Sequence, residues 1–371
     1  MNFEFSDDQK LIQDQARSFL AEHSPLSRVR NVLERDSLAD NNYDQALWKG
    51  LLELGWAGVA IPESYGGLGM GYLELCVIAE EMGRSLAAVP FSSSVYLAAE
   101  AILIGGTEVQ KQQWLPKIAS GEVIASVAFA ESRGGMALSK PSVSANSAAL
   151  LTGSKLPVCD GAIADLLLVS ASNPDGKVAW YLVTADANGL TNTPLNCIDP
   201  SRSMASLTFD NTPAEPMSLE LDAQLLQADV LDRAAVLFAF EQVGGAQACL
   251  DMAREYTTQR YAFGRPIGSF QALKHKMADM FVAIELARSN AYYGAWALSS
   301  GASNLTEAAA VARISATDAY YECSKENMQA HGGMGYTWEL DCHLYYRRAQ
   351  YLASLLGSQA YWKDRLMEEV A

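Results

Sequence analysis

Basic residues are scarce in this chain of 371 residues: 27 Lys and Arg stand against 43 Asp and Glu, for a formal net charge of -16. A surface of that sign does not attract DNA, RNA or an anionic membrane, so small molecules and other proteins are the expected partners. Long apolar runs are missing too. No stretch reaches the roughly 18 residues of a membrane span, and the N-terminal MNFEFSDDQK lacks the basic-then-apolar order of a secretion signal. A soluble, cytoplasmic protein without a membrane span is expected. Cysteine is sparse: Cys76, Cys159, Cys197, Cys249, Cys323 and Cys342 show no two-residue spacing, so neither a metal site nor a disulfide framework is signalled. Internal repeats and low-complexity tracts are also lacking.

What is present is apolar. Half the residues are hydrophobic, which excludes disorder, and the length calls for two or three domains. Phe5 in the staple position, Ser6 as N-cap and Gln9 three residues later announce a first helix with a capping box. A second is expected through Leu47, Trp48, Leu51 and Leu52, followed by a glycine-rich loop, Ile61 to Gly71, more consistent with a tight connection than with a ligand loop. Further helices are predicted at Tyr72 to Met82, Ser92 to Ile104 and Glu108 to Ile118. Then the texture changes: IASVAFA, ALLTG, DLLLVSA, VAWYLVT and MASLTFD are short β-rich segments, with hairpin turns at Asn173 to Gly176 and Asn188-Gly189. Helical periodicity returns in four long segments, Leu231 to Thr258, Ser269 to Leu298, Asn304 to His331 and His343 to Glu369. The expected fold is α+β and multidomain: an N-terminal α-helical domain over 1–121, a middle antiparallel β domain over 122–224 and a C-terminal four-helix bundle over 225–371.

Within Ala234 to Leu250, AAVLFAFEQVGGAQACL, the only charged side chain is Glu241. A helix apolar on every side is a buried helix. Burial disfavours a charged carboxylate, so a lone buried Glu is expected to titrate above its ordinary range, as a general base would. The alternative is an ion pair with an Arg or Lys of a neighbouring helix. Gly244 and Gly245, costly inside a helix, mark close approach by something else, and could leave room for a ligand.

Two motifs carry recognisable chemistry. Gln259-Arg260-Tyr261-Ala262-Phe263-Gly264-Arg265-Pro266-Ile267-Gly268-Ser269-Phe270-Gln271 places an arginine fork, suited to phosphate, at a helix end. Gln329-Ala330-His331-Gly332-Gly333-Met334-Gly335-Tyr336-Thr337 offers backbone amides that an anion can approach closely. Taken singly, Arg260 reads equally as half of a surface ion pair and the glycines as a helix C-terminal turn. Together, and in this order, they resemble the signatures of the acyl-CoA dehydrogenase family, whose order of helical, β and helical domains extends over essentially the whole chain. The resemblance implies FAD as cofactor, with Arg260, Phe263 and Gln271 at its adenosine and diphosphate portion. It also implies Gln329, Gly332 and Gly333 as contacts from the adjacent subunit of a homo- or hetero-oligomer, dimer or tetramer. The implied activity is α,β-dehydrogenation of an acyl-CoA, with an electron-transfer flavoprotein as acceptor. His331 has no partner acid or nucleophile near it in sequence and is given no role.

The chain departs from the family where the base should be. One familiar position corresponds to Leu356 and the other, counted back from Arg260, to Ala234; Ala235 replaces an arginine usual beside the substrate. Glu241 is seven residues from Ala234, on the same helix face and roughly 10 Å along the axis, which makes it the candidate base. Glu131-Ser132-Arg133-Gly134-Gly135 and Leu156-Pro157-Val158-Cys159 also differ from the segments that usually contact the flavin ring. Such divergent members resemble the subfamily acting on bulky, ring-bearing acyl-CoA substrates, often as two different subunits. Two alternatives stand beside the dehydrogenase: a non-catalytic partner subunit, and a related flavin oxidase.

Overall fold

The computed structural model describes residues 5–35, 43–132, 135–136, 140–217 and 222–370. Its helices are α1 (Asp7–His23), α2 (Leu26–Leu33), α3 (Gln45–Glu53), α4 (Tyr72–Arg84), a π-helix at Ser92–Ala99, α5 (Glu100–Gly105), α6 (Glu108–Ser120), α7 (Ala223–Gln259), α8 (Gln271–Ser300), α9 (Leu305–Ala330), α10 (Cys342–Leu355) and α11 (Gln359–Val370). Its strands are β1 (Ala125–Ala128), β2 (Ala130–Ser132), β3 (Gly135–Met136), β4 (Ser144–Ala145), β5 (Leu150–Cys159), β6 (Leu166–Ser172), β7 (Val178–Thr184), β8 (Leu190–Pro194), β9 (Met204–Pro213), β10 (Glu215–Pro216), β11 (Tyr261–Ala262) and β12 (Arg265–Pro266). The expected succession of helices, strands and helices is therefore present. Contacts gather into two compact units: the chain up to Val29, Tyr72–Ala87 and Ala235 onward form one, Arg30–Gly71 and Ala88–Ala234 the other.

In the first unit the Ser6–Gln9 capping box opens α1, each side chain bonded to the other's backbone N–H. Helix α7, whose residues up to Ala234 belong to the second unit, starts at Ala223 and so earlier than the expected Leu231. Asp222 Oδ1 accepts from the N–H groups of Gln224 and Leu225, so the cap is Asp222. The single helix expected from His343 to Glu369 is two. Gly357, at φ +92°, interrupts it, Ser358 Oγ accepts from Tyr361 N, and the Trp362 indole donates to Leu356 O at 3.0 Å. Helix α4 crosses α7 at a pair of glycines. A Cβ on Gly83 would lie 1.8 Å from Glu241 O, and one on Gly244 would lie 1.8 Å from Glu80 O. The neighbouring Gly245 leaves space for Tyr320, whose ring a Cβ would meet at 2.4 Å. The close approach expected at Gly244-Gly245 is thus helix and side-chain packing, and no room for a ligand is left there.

In the second unit the loop from Ile61 is the tight connection expected: Leu68, Gly69 and Met70 donate back to Gly58, Ile61 and Val59. Helix α2 and the π-helix were not foreseen as such. The sheet runs β10-β7-β6-β4-β5-β9-β8, with β1 also paired to β6. It is mainly antiparallel, but β1 and β4 each pair with β6 in parallel, Ala125 opposite Leu166 and Ser144 opposite Ser172. Leu151, Val158, Leu167, Val169, Tyr181, Val183, Leu207 and Phe209 make its core. Asn173 Oδ1 accepts from Asp175 N and Lys177 N, closing the predicted hairpin turn.

Candidate functional site

Glu241 lies inside the helical unit, 3% exposed, as the apolar sequence on either side of it predicts. Its Oε1 is 3.6 Å from Nη1 of Arg348 on α10, itself buried. The next residue, Gln242, accepts from Arg313 Nη1 at 2.7 Å and donates to Thr317 Oγ1 at 3.1 Å, while Arg313 Nη2 donates to Leu352 O. Burial pushes the Arg313 guanidinium down to about 10, against the field of Glu241. One carboxylate therefore faces two buried arginines of separate helices. Ala234, Ala235 and Leu356 are all buried and apolar.

The phosphate-directed motif occupies the exit from α7. Arg260 N donates to Tyr256 O at 2.8 Å, and the chain then folds into the β11–β12 hairpin, Tyr261 opposite Pro266. Phe263 and Gly264 form its tip, both at positive φ (53° and 78°), and the Phe263 ring is 95% exposed. Phe270 supports the hairpin from below: its ring is edge-on to Phe263 at 6.2 Å, with the Arg265 guanidinium 4.0 Å from its centroid. Arg260 and Gln271, the first residue of α8, are exposed.

The glycine motif follows the end of α9. Gln329 is exposed, and Gly332 (φ +60°) and Gly333 begin a 3-10 turn, Gly332–Tyr336, where an added Cβ on either glycine would meet nothing within 4 Å. Their backbone is open to a ligand. The His331 ring stacks on Tyr256, centroids 4.2 Å apart, and Asn327 Nδ2 contacts Met252 Sδ at 3.9 Å. The ends of α7 and α9 thus lie side by side. The two motifs therefore stand at neighbouring helix ends of one chain.

The β unit contains buried ion pairs that the sequence did not announce. Lys155, fully buried on β5, donates to Glu131 Oε1 (2.7 Å), Ser170 Oγ (3.1 Å) and Phe129 O (3.3 Å). Burial lowers its ammonium, partly offset by Glu131. Burial also raises Glu131, but hydrogen bonds from Lys155 and Ser142 outweigh that and leave its carboxyl below the usual range. A second buried pair joins Arg202 to Asp160 at 3.0 Å, with Ser93 Oγ on the same carboxylate oxygen at 2.7 Å and Ser92 Oγ accepting from Arg202 at 2.7 Å. A lone Lys between Gly153 and Val158 in a β-rich run was the available signal for the first; nothing local announces the second. Arg133 and Gly134 lie outside the described residues.

Residues 6–122 match the acyl-CoA dehydrogenase N-terminal domain and residues 225–371 match the C-terminal domain of that family. The acyl-CoA dehydrogenase IpdE2 of Mycobacterium tuberculosis is 32% identical over 365 residues, 98% of either chain. This chain belongs to the acyl-CoA dehydrogenase family. A solved steroid ACAD variant, Tcur3481-Tcur3483, superposes with a TM-score of 0.87 at 31% identity, covering 98% of both chains. The ChsE4-ChsE5 complex of M. tuberculosis gives 0.88 at 26% identity, covering 100% of this chain and 99% of that one. An acyl-CoA dehydrogenase is an FAD-dependent oxidoreductase, and the residues at the α7 and α9 ends fit the adenosine-diphosphate half of that cofactor. They supply an exposed guanidinium, unobstructed glycine backbone and an exposed aromatic ring. Among the described residues no helix is long and apolar enough to cross a membrane, and no cluster suited to a metal ion occurs.

Proposed function

We propose that this chain works in a cytoplasmic oligomer, a homo- or heteromeric dimer or tetramer, that introduces an α,β double bond into a bulky or ring-bearing acyl-CoA. Arg260 grips the cofactor's diphosphate as a fork, the N–H groups at Gly332 and Gly333 approach it from the α9 end, Phe263 covers the adenosine, and Gln271 and Gln329 flank it. The observation that carries this is the side-by-side placement of the two exposed motifs, seen in the Tyr256–His331 contact. FAD, when bound, supplies the acceptor for the hydride leaving the β-carbon, and the electrons pass on to an electron-transfer flavoprotein. The likeness to a steroid ACAD supports the ring-bearing acyl group. The test is the visible spectrum of the purified chain: yellow protein bleached by a ring-bearing acyl-CoA supports the proposal, and a chain that takes up no flavin, alone or with a second subunit, refutes it.

A second reading has its own support. The α-proton needs a base, and both familiar positions are apolar, Ala234 and Leu356. Glu241, the candidate base on sequence grounds, is bound to Arg348 and sealed in the core, which favours its alternative role as a structural ion pair. In this reading the chain is the partner subunit of a heteromeric dehydrogenase: it contributes FAD contacts, and the base comes from the other subunit. Flavin reduction that appears only after mixing with a base-bearing subunit is the expected result; full reduction by the chain alone overturns it.

A further inference from the structure

His331 stands within one of the two motifs and is given no role in the proposed chemistry, yet it is only 6% exposed and engaged on two sides. Its Nδ1 is 2.8 Å from Asn327 O, and since a carbonyl can only accept, Nδ1 carries the proton. Its ring lies against Tyr256 at 4.2 Å, with 30° between the planes. Each partner is joined directly to one ligand-facing segment. The carbonyl of Tyr256 accepts the N–H of Arg260, and Gly332 follows His331 in the chain. The far side of the glycine turn is fixed in a similar way, by Trp338 stacked on His343 at 4.8 Å, with His343 Nε2 3.2 Å from Trp338 O.

We infer that the Tyr256–His331 stack is a positioning brace, setting the distance between the Arg260 segment and the Gly332–Gly333 turn before the cofactor arrives. Both segments are exposed, and the hairpin and the 3-10 turn are each short. Without a brace their ordering would be charged against binding; with it, that cost is met on folding. The inference rests on the proposal that these segments hold the FAD diphosphate.

The experiment titrates FAD into the deflavinated full-length protein, in its native oligomer, and records flavin fluorescence and the melting temperature of the apoprotein. His331→Ala should weaken FAD binding about 2- to 10-fold, the span an aromatic pair contributes. His331→Phe, which keeps a ring but not the Asn327 hydrogen bond, should restore affinity to near that of the parent. Tyr256→Leu should match His331→Ala, and combining the two should cost little more than either alone, since both remove one contact. Additive losses overturn the brace, as does a His331→Phe protein as weak as His331→Ala. Arg260→Ala separates the levels of the claim. If it weakens FAD while His331→Ala does not, the brace is wrong and the site stands; if neither changes affinity, the site itself is misplaced.

Discussion

Replacing Glu241 by Gln keeps the side chain's size and removes its charge, at a point where Arg348 is 3.6 Å away and Arg313 is held on the adjacent Gln242. Both arginines are about 1% exposed and would remain buried with their shared carboxylate neutralised. Removing one partner of a buried ion pair costs about 3 to 5 kcal/mol; the 3.6 Å separation is longer than a charged hydrogen bond, so the lower end, about 3 kcal/mol, is expected. For a unit of this size that lowers the melting temperature by roughly 6 to 12 °C. Arg348→Met should destabilise similarly, and the double variant should recover part of the loss, because no unpaired charge then remains of that pair. The assays are thermal melts of the three variants beside flavin reduction by acyl-CoA, normalised to folded, flavin-bearing protein. A Glu241→Gln protein that melts with the parent but no longer reduces flavin would identify Glu241 as the base and refute the structural assignment.

Other outcomes follow from the same contacts. Arg260→Ala should lose about 1.5 to 3 kcal/mol of FAD affinity without changing the apoprotein melt, with Lys restoring only part; unchanged flavin content would leave Arg260 as a surface residue. Gly244→Ala should cost about 3 kcal/mol or more by denaturant titration, because the new methyl group meets the Glu80 carbonyl of a packed helix and cannot be relieved by a rotamer change; a neutral result would show that α4 and α7 do not cross there. Glu131 titrates below its ordinary range in the folded chain, so its contribution is complete above that range and fades as pH falls through the lowered value. Lys155→Met should flatten that acid limb, whereas parallel stability–pH curves would argue against the pair. On the expectation that Arg260 of one subunit and Gly332–Gly333 of another share one cofactor, dilution of the oligomer should release flavin, and a proven monomer that retains its full complement would exclude that sharing.

Where a structural cause was local, it was legible in the sequence. The Ser6–Gln9 box, the Asn173 turn and the buried character of Ala234 to Leu250 each depend on residues within a few positions, and each is found as expected. Distant causes were not legible. Nothing beside Glu241 announces Arg348, and Gly244 is explained only by Glu80 of another helix. The break at Gly357 was missed because apolar periodicity continues across it, although a glycine at φ +92° is what a reversal there requires. The parallel pairing of β1 with β6 joins strands separated by four others, beyond the reach of any hairpin signal. At the candidate site, the motifs supplied the residues, while their placement at adjacent helix ends came from the packing of α7 on α9.

The division of the chain bears on how it is made. Helix α4 belongs to the unit completed by residues from Ala235 onward, yet it is synthesised between segments of the other unit. Its Glu80, buried and pushed upward in pKa by that burial, pairs with Arg288, which lies 208 residues downstream. At about 5 to 20 residues per second, a ribosome needs roughly 10 to 40 s to deliver that arginine. Throughout that interval Glu80, destined for the interior, lacks its hydrogen-bonded cation and feels only the field of Arg17, already synthesised. A segment that forms part of the finished core therefore needs solvent or a chaperone during synthesis.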